Sequence, residues 1–388
     1  MSLNATPSGE RVHISFFGCT NAGKSSVVNA FLNQNISIVS DIKGTTTDPV
    51  EKAMELLPIG AVKIIDTAGF DDISELGKAR TDKTKKVLNK TDIAILVADR
   101  QLNNTDNELI ELFKEKQIPY VIAFNKADLL ETIHESTQNT IYVSAKTGFN
   151  INKLKELVAS LKDIKKERPL VSDLVNYGDI VVLVVPIDSS APKGRLILPQ
   201  QQVIRDLLDH GAIPIVARDS ELKMVLDTIK QPKLVITDSQ VFNKVSKIVP
   251  KDMPLTSFSI IMARYKGDLP VQIHGSNTLD KLSNGDKILI AEGCTHHRQC
   301  EDIGTVKLPR WIREYTKKDF EFSFCSGTEF PEDLSEYKLI IHCGGCMLND
   351  KEMKSRLNNA KAQNIPITNY GTMIAHINGI LKRTTAMI

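Results

Sequence analysis

Short apolar runs alternate with longer stretches of helical period along nearly the whole chain. Residues 12–17, Val-His-Ile-Ser-Phe-Phe, read as a strand. A glycine-containing turn follows, then an apolar-periodic helix from about Ser25. Further strands are expected at 62–65, 93–97, 120–124 and 141–143, each separated by a helical stretch, and a helix over 151–161 closes this part. Regular alternation of this kind predicts a doubly wound parallel sheet. The charged segment 162–169, ending in Pro169, reads as a linker. Alternation resumes at 180, with strands at 180–185, 213–217 and 234–237 and helices near 200–210, 221–229 and 240–248. A looser stretch, 257–267, precedes a third run. That run has strands at 288–291, 321–325, 339–342 and 365–368, helices near 306–315 and 350–362, and a last helix at the end. No low-complexity segment or short repeat is visible. The pattern predicts an α/β protein of three domains, with boundaries at 1–168, 169–265 and 266–388, the last two being smaller parallel-sheet α/β domains.

Composition narrows the class. With 388 residues the chain exceeds one ordinary core, which agrees with several domains. A formal net charge of +2 gives no reason to expect a nucleic-acid or anionic-membrane partner. Residues 1–11 are polar, unlike a secretory signal, and aliphatic runs such as 180–185 are strand-sized rather than membrane-spanning. A cytoplasmic location is expected. Of six cysteines, Cys294, Cys300, Cys325, Cys343 and Cys346 fall in the last 95 residues, which in a reducing compartment points to metal chemistry rather than cross-linking.

The first strand–turn–helix carries Gly18-Cys-Thr-Asn-Ala-Gly23-Lys24-Ser25, a P-loop. Its glycines let backbone N–H groups wrap phosphates, with Asn21, Ala22, Gly23 and Ser26 alongside, at a helix N-terminus. Lys24 is expected on the β- and γ-phosphates and the Ser25 hydroxyl on Mg²⁺. Asp66-Thr-Ala-Gly69 follows the next strand, placing Asp66 near Mg²⁺ and the Gly69 N–H near the γ-phosphate. Gly44-Thr45-Thr46-Thr47 stands where a switch loop would bring a second hydroxyl, Thr45 or Thr46, to the reaction, with Thr46 on Mg²⁺. Asn125-Lys126-Ala127-Asp128 follows the 120–124 strand. There Asp128 can accept from guanine N1–H and the N2 amine, a donor pair that adenine lacks. Ser144-Ala145-Lys146 is expected to pack on the base. Five motifs in order, all at strand ends, assign a P-loop GTPase fold that binds GTP and GDP.

This set resembles the TrmE–Era–EngA group, with its Gly-Thr-Thr switch. Phe70 follows Gly69, so a water-orienting glutamine is absent, and Asp71 or Asp72 could take that role or be plain switch-loop acids. The resemblance implies that Asn21 lies on a K⁺ ion, whose charge would substitute for an arginine finger.

The cysteines make a second site. Cys294-Thr-His296 follows one expected strand, and His342-Cys343-Gly-Gly-Cys346 follows another. Ligands of open parallel sheets collect beyond the carboxyl ends of strands, so the two half-sites are expected on one edge. Cys294, His296, Cys343 and Cys346 would suit a structural Zn²⁺, and a cluster held by three cysteines fits as well. For a cluster, His296, His297, His342 and Glu301 are candidates for the fourth position, or donors that orient a ligand. Asn369-Tyr370-Gly371-Thr372 is expected on the same edge, while Cys19, Cys300 and Cys325 read as ordinary thiols.

GTPase motifs joined to Cys-x-His and a distant His-Cys-x-x-Cys resemble the [FeFe]-hydrogenase maturation GTPases, the HydF family, and so does 187–200 in the middle of the chain. The resemblance covers essentially the whole chain. It implies a GTPase, a dimerisation domain and a domain that binds a [4Fe–4S] cluster, with Cys294, Cys343 and Cys346 matching the cysteine ligands and His296 and His342 the motif histidines. It also implies a homodimeric scaffold. Two radical-SAM maturases would supply a diiron precursor as transient cargo, and the apo-hydrogenase would receive the assembled subcluster. The alternatives are a ribosome- or tRNA-modification GTPase with structural zinc, and an enzymatic middle domain using the polar residues Asp188, Ser189, Lys193 and Arg195.

Overall fold

The computed structural model describes residues 6–33, 50–70, 84, 86–99, 101–133, 135–161, 168–187, 196–229, 231–294 and 302–388. The chain divides into two compact units, Met1–Lys166 and Glu167–Ile388.

In the first unit β1 (Val12–Phe17), β2 (Val50–Leu56), β3 (Gly60–Asp66), β4 (Ile93–Ala98), β5 (Tyr120–Phe124) and β6 (Thr140–Tyr142) form one sheet, ordered β2-β3-β1-β4-β5-β6. All neighbours run parallel except β2, which is antiparallel to β3. Alternate side chains of β1 serve opposite faces. Ile14 and Phe16 join a core with α1 (Lys24–Leu32) and α3 (Ile151–Ser160). Phe17 joins another with α2 (Asn104–Glu115). Both faces are covered, hence the continuous apolar runs. Strand β2 was not expected, because its residues alternate between charged or exposed and half-buried, as suits an edge.

The second unit holds two four-stranded sheets, both wholly parallel. The first is ordered β10-β9-β7-β8, from β7 (Ile180–Val184), β8 (Ile213–Ala217), β9 (Leu234–Thr237) and β10 (Leu255–Ser257). The second is ordered β12-β11-β13-β14, from β11 (Lys287–Glu292), β12 (Glu321–Ser326), β13 (Leu339–His342) and β14 (Ile367–Asn369). Its helices are α4 (Leu198–Asp209), α5 (Leu222–Thr228), α6 (Phe242–Ile248), α7 (Phe258–Lys266), α8 (Leu269–Asn277), α9 (Leu308–Thr316), α10 (Asp350–Ala362), α11 (Tyr370–Ile377) and α12 (Leu381–Thr385). A single core joins Val182 and Val235 of one sheet to Ile288 and Ile341 of the other through Ile260 and Met373.

One expectation is corrected here. The stretch 257–267 is not loose; it is helix α7, with Phe258, Ile260, Ile261, Met262 and Ala263 all buried. A helix apolar around its circumference shows no stripe to read. Strand β10 and helix α8 beside it were likewise unanticipated, and the last helix is two, α11 and α12.

Candidate functional site

The P-loop runs from β1 into α1 on a backbone that only certain residues tolerate. Gly18 has φ +146°, and a Cβ there would lie 2.2 Å from the Val97 carbonyl oxygen. Asn21 and Gly23 are left-handed, at φ 67° and 82°. Asn125, just past β5, ties three motifs together: its Nδ2 donates to the Ala22 carbonyl at 3.0 Å and its Oδ1 accepts from the Ala145 N–H at 3.2 Å. Asp66-Thr-Ala-Gly69 lies beside the loop, with the Phe70 N–H reaching the Gly18 carbonyl at 3.4 Å.

Lys24 is buried at the head of α1. The Ser25 hydroxyl donates to Asp66 Oδ2 at 2.8 Å, whereas the other oxygen, Oδ1, is buried without a hydrogen-bond partner. Burial raises the Asp66 pKa, against the Lys24 charge and the Ser25 hydrogen bond. A buried carboxylate oxygen in need of a partner, beside a hydroxyl, is a donor set that fits Mg²⁺. At the base end, Ser144 Oγ donates to Asp128 Oδ1 at 2.6 Å, which with Lys146 keeps this carboxylate ionised. A cavity of about 800 Å³ opens between Gly23, Ser26, Asn125, Asp128, Ala145 and Lys146. That is a size suited to a small-molecule ligand. Lys126 pairs with Asp99 at 2.8 Å. Cys19 is buried, its sulfur accepting from Asn103 Nδ2 at 3.3 Å, next to the cap of α2. Thr45, Thr46, Asp71 and Asp72 lie outside the described residues.

In the second unit β11 and β13 are neighbours, with Ala291 level with His342, so the residues that follow them meet at one edge. The Cys343 N–H donates to the Ala291 carbonyl at 2.9 Å. The Cys343 sulfur accepts from the N–H groups of Gly293 at 3.0 Å and Gly345 at 3.4 Å. Burial, with Cys346 adding to it, pushes the Cys343 thiol up to about 12 against those two bonds. Cys294 is raised by burial and by Cys343 and Cys346, and Cys346 is raised by burial against the nearby Lys266. The three thiols therefore share one environment. Among the described residues no three His, Cys, Asp or Glu side chains lie close enough to share a single metal ion.

His342 is wholly buried, and both ring nitrogens have partners. Nδ1 sits 2.8 Å from the Cys343 carbonyl and Nε2 2.9 Å from Arg356 Nη1. A guanidinium can only donate, so Nε2 accepts and Nδ1 carries the proton. Burial and Arg356 lower its pKa to about 3. Neither nitrogen is offered to a metal in this arrangement. His296, His297 and Glu301 lie outside the described residues, as do Cys300 and the polar set Asp188, Ser189, Lys193 and Arg195. Asn369 is a helix cap, its Oδ1 accepting from the Gly371 N–H at 2.7 Å and from Ser259 at 2.8 Å. Tyr370 does reach the cysteine edge, its hydroxyl 3.3 Å from buried Glu292 just before Gly293.

Three supports were not read from sequence. Glu292 ends β11. Arg356 pairs with Glu352 at 2.8 Å, both nearly inaccessible, and also donates to the Gly327 carbonyl. Lys266, only 1% exposed, donates to the Cys346 and Leu348 carbonyls at 3.2 and 2.7 Å and so clamps the loop that carries two of the thiols. The one signal for it was a lysine ending an apolar stretch. Among the described residues no helix is long and apolar enough to cross a membrane.

Family comparisons divide the chain the same way as its sheets. Residues 13–126 match a family described as 50S ribosome-binding GTPase. Residues 170–267 match the hydrogen maturase F dimerization domain, and 270–387 match the hydrogen maturase F tetramerization domain. The last two together take in more than half of the chain. It belongs to the hydrogen maturase F family.

The resemblance read from the cysteine and GTPase motifs thus stands, and the family domains make the second unit an oligomerising one. The first unit is a guanine-nucleotide-binding GTPase domain. The curated MnmE relatives match this part alone. The tRNA modification GTPase MnmE of Mycoplasma mycoides subsp. mycoides is 35% identical over 37% of this chain and 33% of that protein. MnmE of Clostridioides difficile is 34% identical over the same shares. The chain therefore spans about a third of the length of these relatives. Solved structures that align include Aquifex aeolicus Era bound to GDP.AlF4- (17% identical, 53% of this chain, 92% of that chain, TM-score 0.36). Another is the G domain of T. maritima FeoB (21% identical, 39% and 99%, TM-score 0.31). TM-scores this low carry no argument.

Proposed function

We propose that this member of the hydrogen maturase F family is a GTP-hydrolysing scaffold and carrier in [FeFe]-hydrogenase assembly, holding a [4Fe–4S] cluster on Cys294, Cys343 and Cys346. One observation carries the reading. Two loops at adjacent strand ends bring three half-buried thiols into one environment, with the Gly293 and Gly345 N–H groups donating to the Cys343 sulfur. Such bonds favour a ligating thiolate over a thiol. With His342 committed to Arg356, the fourth position falls to His296, His297 or Glu301, and an exchangeable group there lets a diiron precursor attach and leave.

In the GTPase domain Lys24 meets the β- and γ-phosphates and the Gly69 N–H the γ-phosphate, while Ser25, Asp66 and Thr46 hold Mg²⁺. The Mg²⁺ ion neutralises phosphate charge when bound. Asn21 positions K⁺, and Asp71 or Asp72 orients the attacking water. Turnover that is unchanged when Na⁺ replaces K⁺ would remove the K⁺ role. GTP acts as a switch on docking with the two radical-SAM maturases and the apo-hydrogenase, in the cytoplasm. Oligomer formation uses the apolar edge at β8, where Ile213 and Val216 are 49% and 46% exposed.

The test is activation. Protein matured with both maturases should activate apo-hydrogenase, and a Cys343→Ser variant should not. Freshly purified protein with stoichiometric zinc and no uptake of iron would sink the scaffold reading.

A further inference from the structure

The two sheets of the second unit are built to one plan. In each, the first strand pairs with the second on one side and the third on the other, and the fourth lies beyond the third. Backbone hydrogen bonds repeat pair by pair. The Lys233 N–H donates to the Ile180 carbonyl at 2.8 Å, and that of Lys338 to Lys287 at 2.8 Å. Val235 donates to Pro254 at 3.0 Å, and Ile340 to Pro366 at 2.9 Å. Each first strand follows a glycine at φ +81° or +83° and then an aspartate, Gly178-Asp179 in one copy and Gly285-Asp286 in the other. Ser257 and Asn369 cap α7 and α11, and these helices align residue for residue from their caps to Gly267 and Gly379. The unit is a tandem pair of one fold.

Comparing the copies shows which side chains belong to the cysteine site. The Asp238 N–H donates to the Val184 carbonyl at 3.3 Å as the Cys343 N–H donates to Ala291 at 2.9 Å, so Asp238 stands at the place of Cys343. Val241 lies as far past Asp238 as Cys346 past Cys343, and Ile187 as far past Ile180 as Cys294 past Lys287. The first copy therefore carries no thiol at these places. The closing helices cross over between copies. Helix α11 lies against Ser239–Val241 of the first copy, and α7 against the cysteine loop of the second. Ser259, Met262 and Lys266 share one face of α7. A Cβ on Gly344 would meet Met262 Cβ at 3.5 Å and Ser259 Oγ at 3.8 Å. At the end of that face the Lys266 ammonium donates to the Cys346 and Leu348 carbonyls. Its counterpart on α11 is Asn378, a neutral, half-buried residue whose amide donates to its own helix at the Ile374 carbonyl, 2.8 Å away. Thiols and buried cation thus occur together in one crevice, and neither occurs at the matching places of the other.

Lysine is rarely as buried as Lys266, because an ammonium in a low-dielectric interior costs free energy unless negative charge and hydrogen bonds meet it. Three thiolates outweigh the charge of an oxidised cluster core, and one added electron enlarges that excess. Burial raises the thiols. At Cys294 the neighbouring sulfurs and then Glu292 and Asp302 add to the rise, whereas at Cys346 Lys266 opposes it. We propose that Lys266 is the counter-ion of the cluster, its buried ammonium offsetting the charge of the thiolates and favouring the reduced form. The assignment rests on the reading of Cys294, Cys343 and Cys346 as cluster ligands, and it adds a residue from the other copy of the fold that sets the charge balance of that site.

A redox titration of the full chain tests it. The protein is reconstituted anaerobically with iron and sulfide and reduced stepwise with dithionite, and electron paramagnetic resonance reads the reduced cluster. Lys266→Gln keeps N–H donors for the loop carbonyls and removes the charge. At the wild-type midpoint its ratio of reduced to oxidised cluster should fall at least about tenfold, a shift of about 59 mV to lower potential for one electron. Lys266→Met should shift the same way, and Lys266→Arg, which keeps the charge, should stay within about threefold of wild type. Gln and Met variants that carry the cluster at the wild-type potential overturn the counter-ion. Where neither carries a cluster, Lys266→Arg decides: an intact cluster at the wild-type potential upholds the assignment, and its loss there as well overturns it. A wild type that takes up no cluster overturns the cluster reading itself.

Discussion

Replacing Asp128 by asparagine should convert the nucleotide site from guanine to xanthine. Asp128 sits exposed at the base end of the cavity, fixed by the Ser144 hydroxyl at 2.6 Å on Oδ1. Oδ2 and a remaining lone pair of Oδ1 are left for guanine N1–H and the N2 amine. Hydrogen bonds to a charged group contribute about 1.5–3 kcal/mol each. Asparagine keeps one acceptor but sets an N–H against a donor of the base. The loss should therefore approach both bonds, on the order of 10²–10⁴ in Kd. Xanthine has a carbonyl in place of the amine, and the new amide N–H can donate to it. Fluorescence titration with labelled GDP and XDP at fixed Mg²⁺ reads both effects. An Asp128→Asn protein that binds GDP within about threefold of wild type, or gains nothing for XDP, would refute the assignment of the base end. Ser144→Ala removes the orienting bond together with the acceptor for the Thr147 N–H at 3.2 Å, leaves both Asp128 oxygens in place, and should cost about tenfold or less.

Further outcomes follow from the cysteine edge. Arg356→Met strands buried Glu352 and should destabilise the second unit by about 3–5 kcal/mol in urea; adding Glu352→Met should recover only the part due to the stranded carboxylate, since His342 Nε2 and the Gly327 carbonyl still lose their donor, and a double variant that loses as much as Arg356→Met and Glu352→Met summed would refute the pairing. His342 has its pKa lowered from 6.5 to about 3 by burial and Arg356, so its contribution is complete above pH 6.5 and lost as pH falls through about 3. Acid unfolding followed by circular dichroism should be shallower in His342→Gln, and equal slopes would count against a buried neutral ring. Lys266→Met frees the Cys346 and Leu348 carbonyls from their clamp, and iodoacetamide should then label Cys346 in metal-free protein at least about tenfold faster, whereas an unchanged rate would assign Lys266 no hold on the loop.

The nucleotide site was readable because parallel strands covered on both faces are continuous apolar runs, and each motif sits where such a run ends. Edge strand β2 escaped, since Glu51, Ala53 and Glu55 face solvent and Lys52 sits half-buried between them, and α7 escaped because it is apolar all round. Spacing placed the cysteines past the correct strand ends but could not assign their supports. Lys266 lies 80 residues from Cys346 in the chain, and Arg356 takes the His342 nitrogen that spacing offered to a metal. The tandem repeat was invisible to composition and period. It survives in backbone hydrogen bonds and in a few shared residues, such as Gly178-Asp179 with Gly285-Asp286, while the side chains at the functional edge have diverged to Asp238 in one copy and Cys343 in the other.

The central claim is that the three thiols hold an iron–sulfur cluster, and electron paramagnetic resonance after anaerobic reconstitution with iron and sulfide tests it most directly. Dithionite-reduced wild type should show the signal of a reduced [4Fe–4S] cluster with about four irons per chain. Cys343→Ser, checked for unchanged oligomer mass and melting, should lack it. A wild type without the signal, or a Cys343→Ser protein that keeps it, would contradict the account.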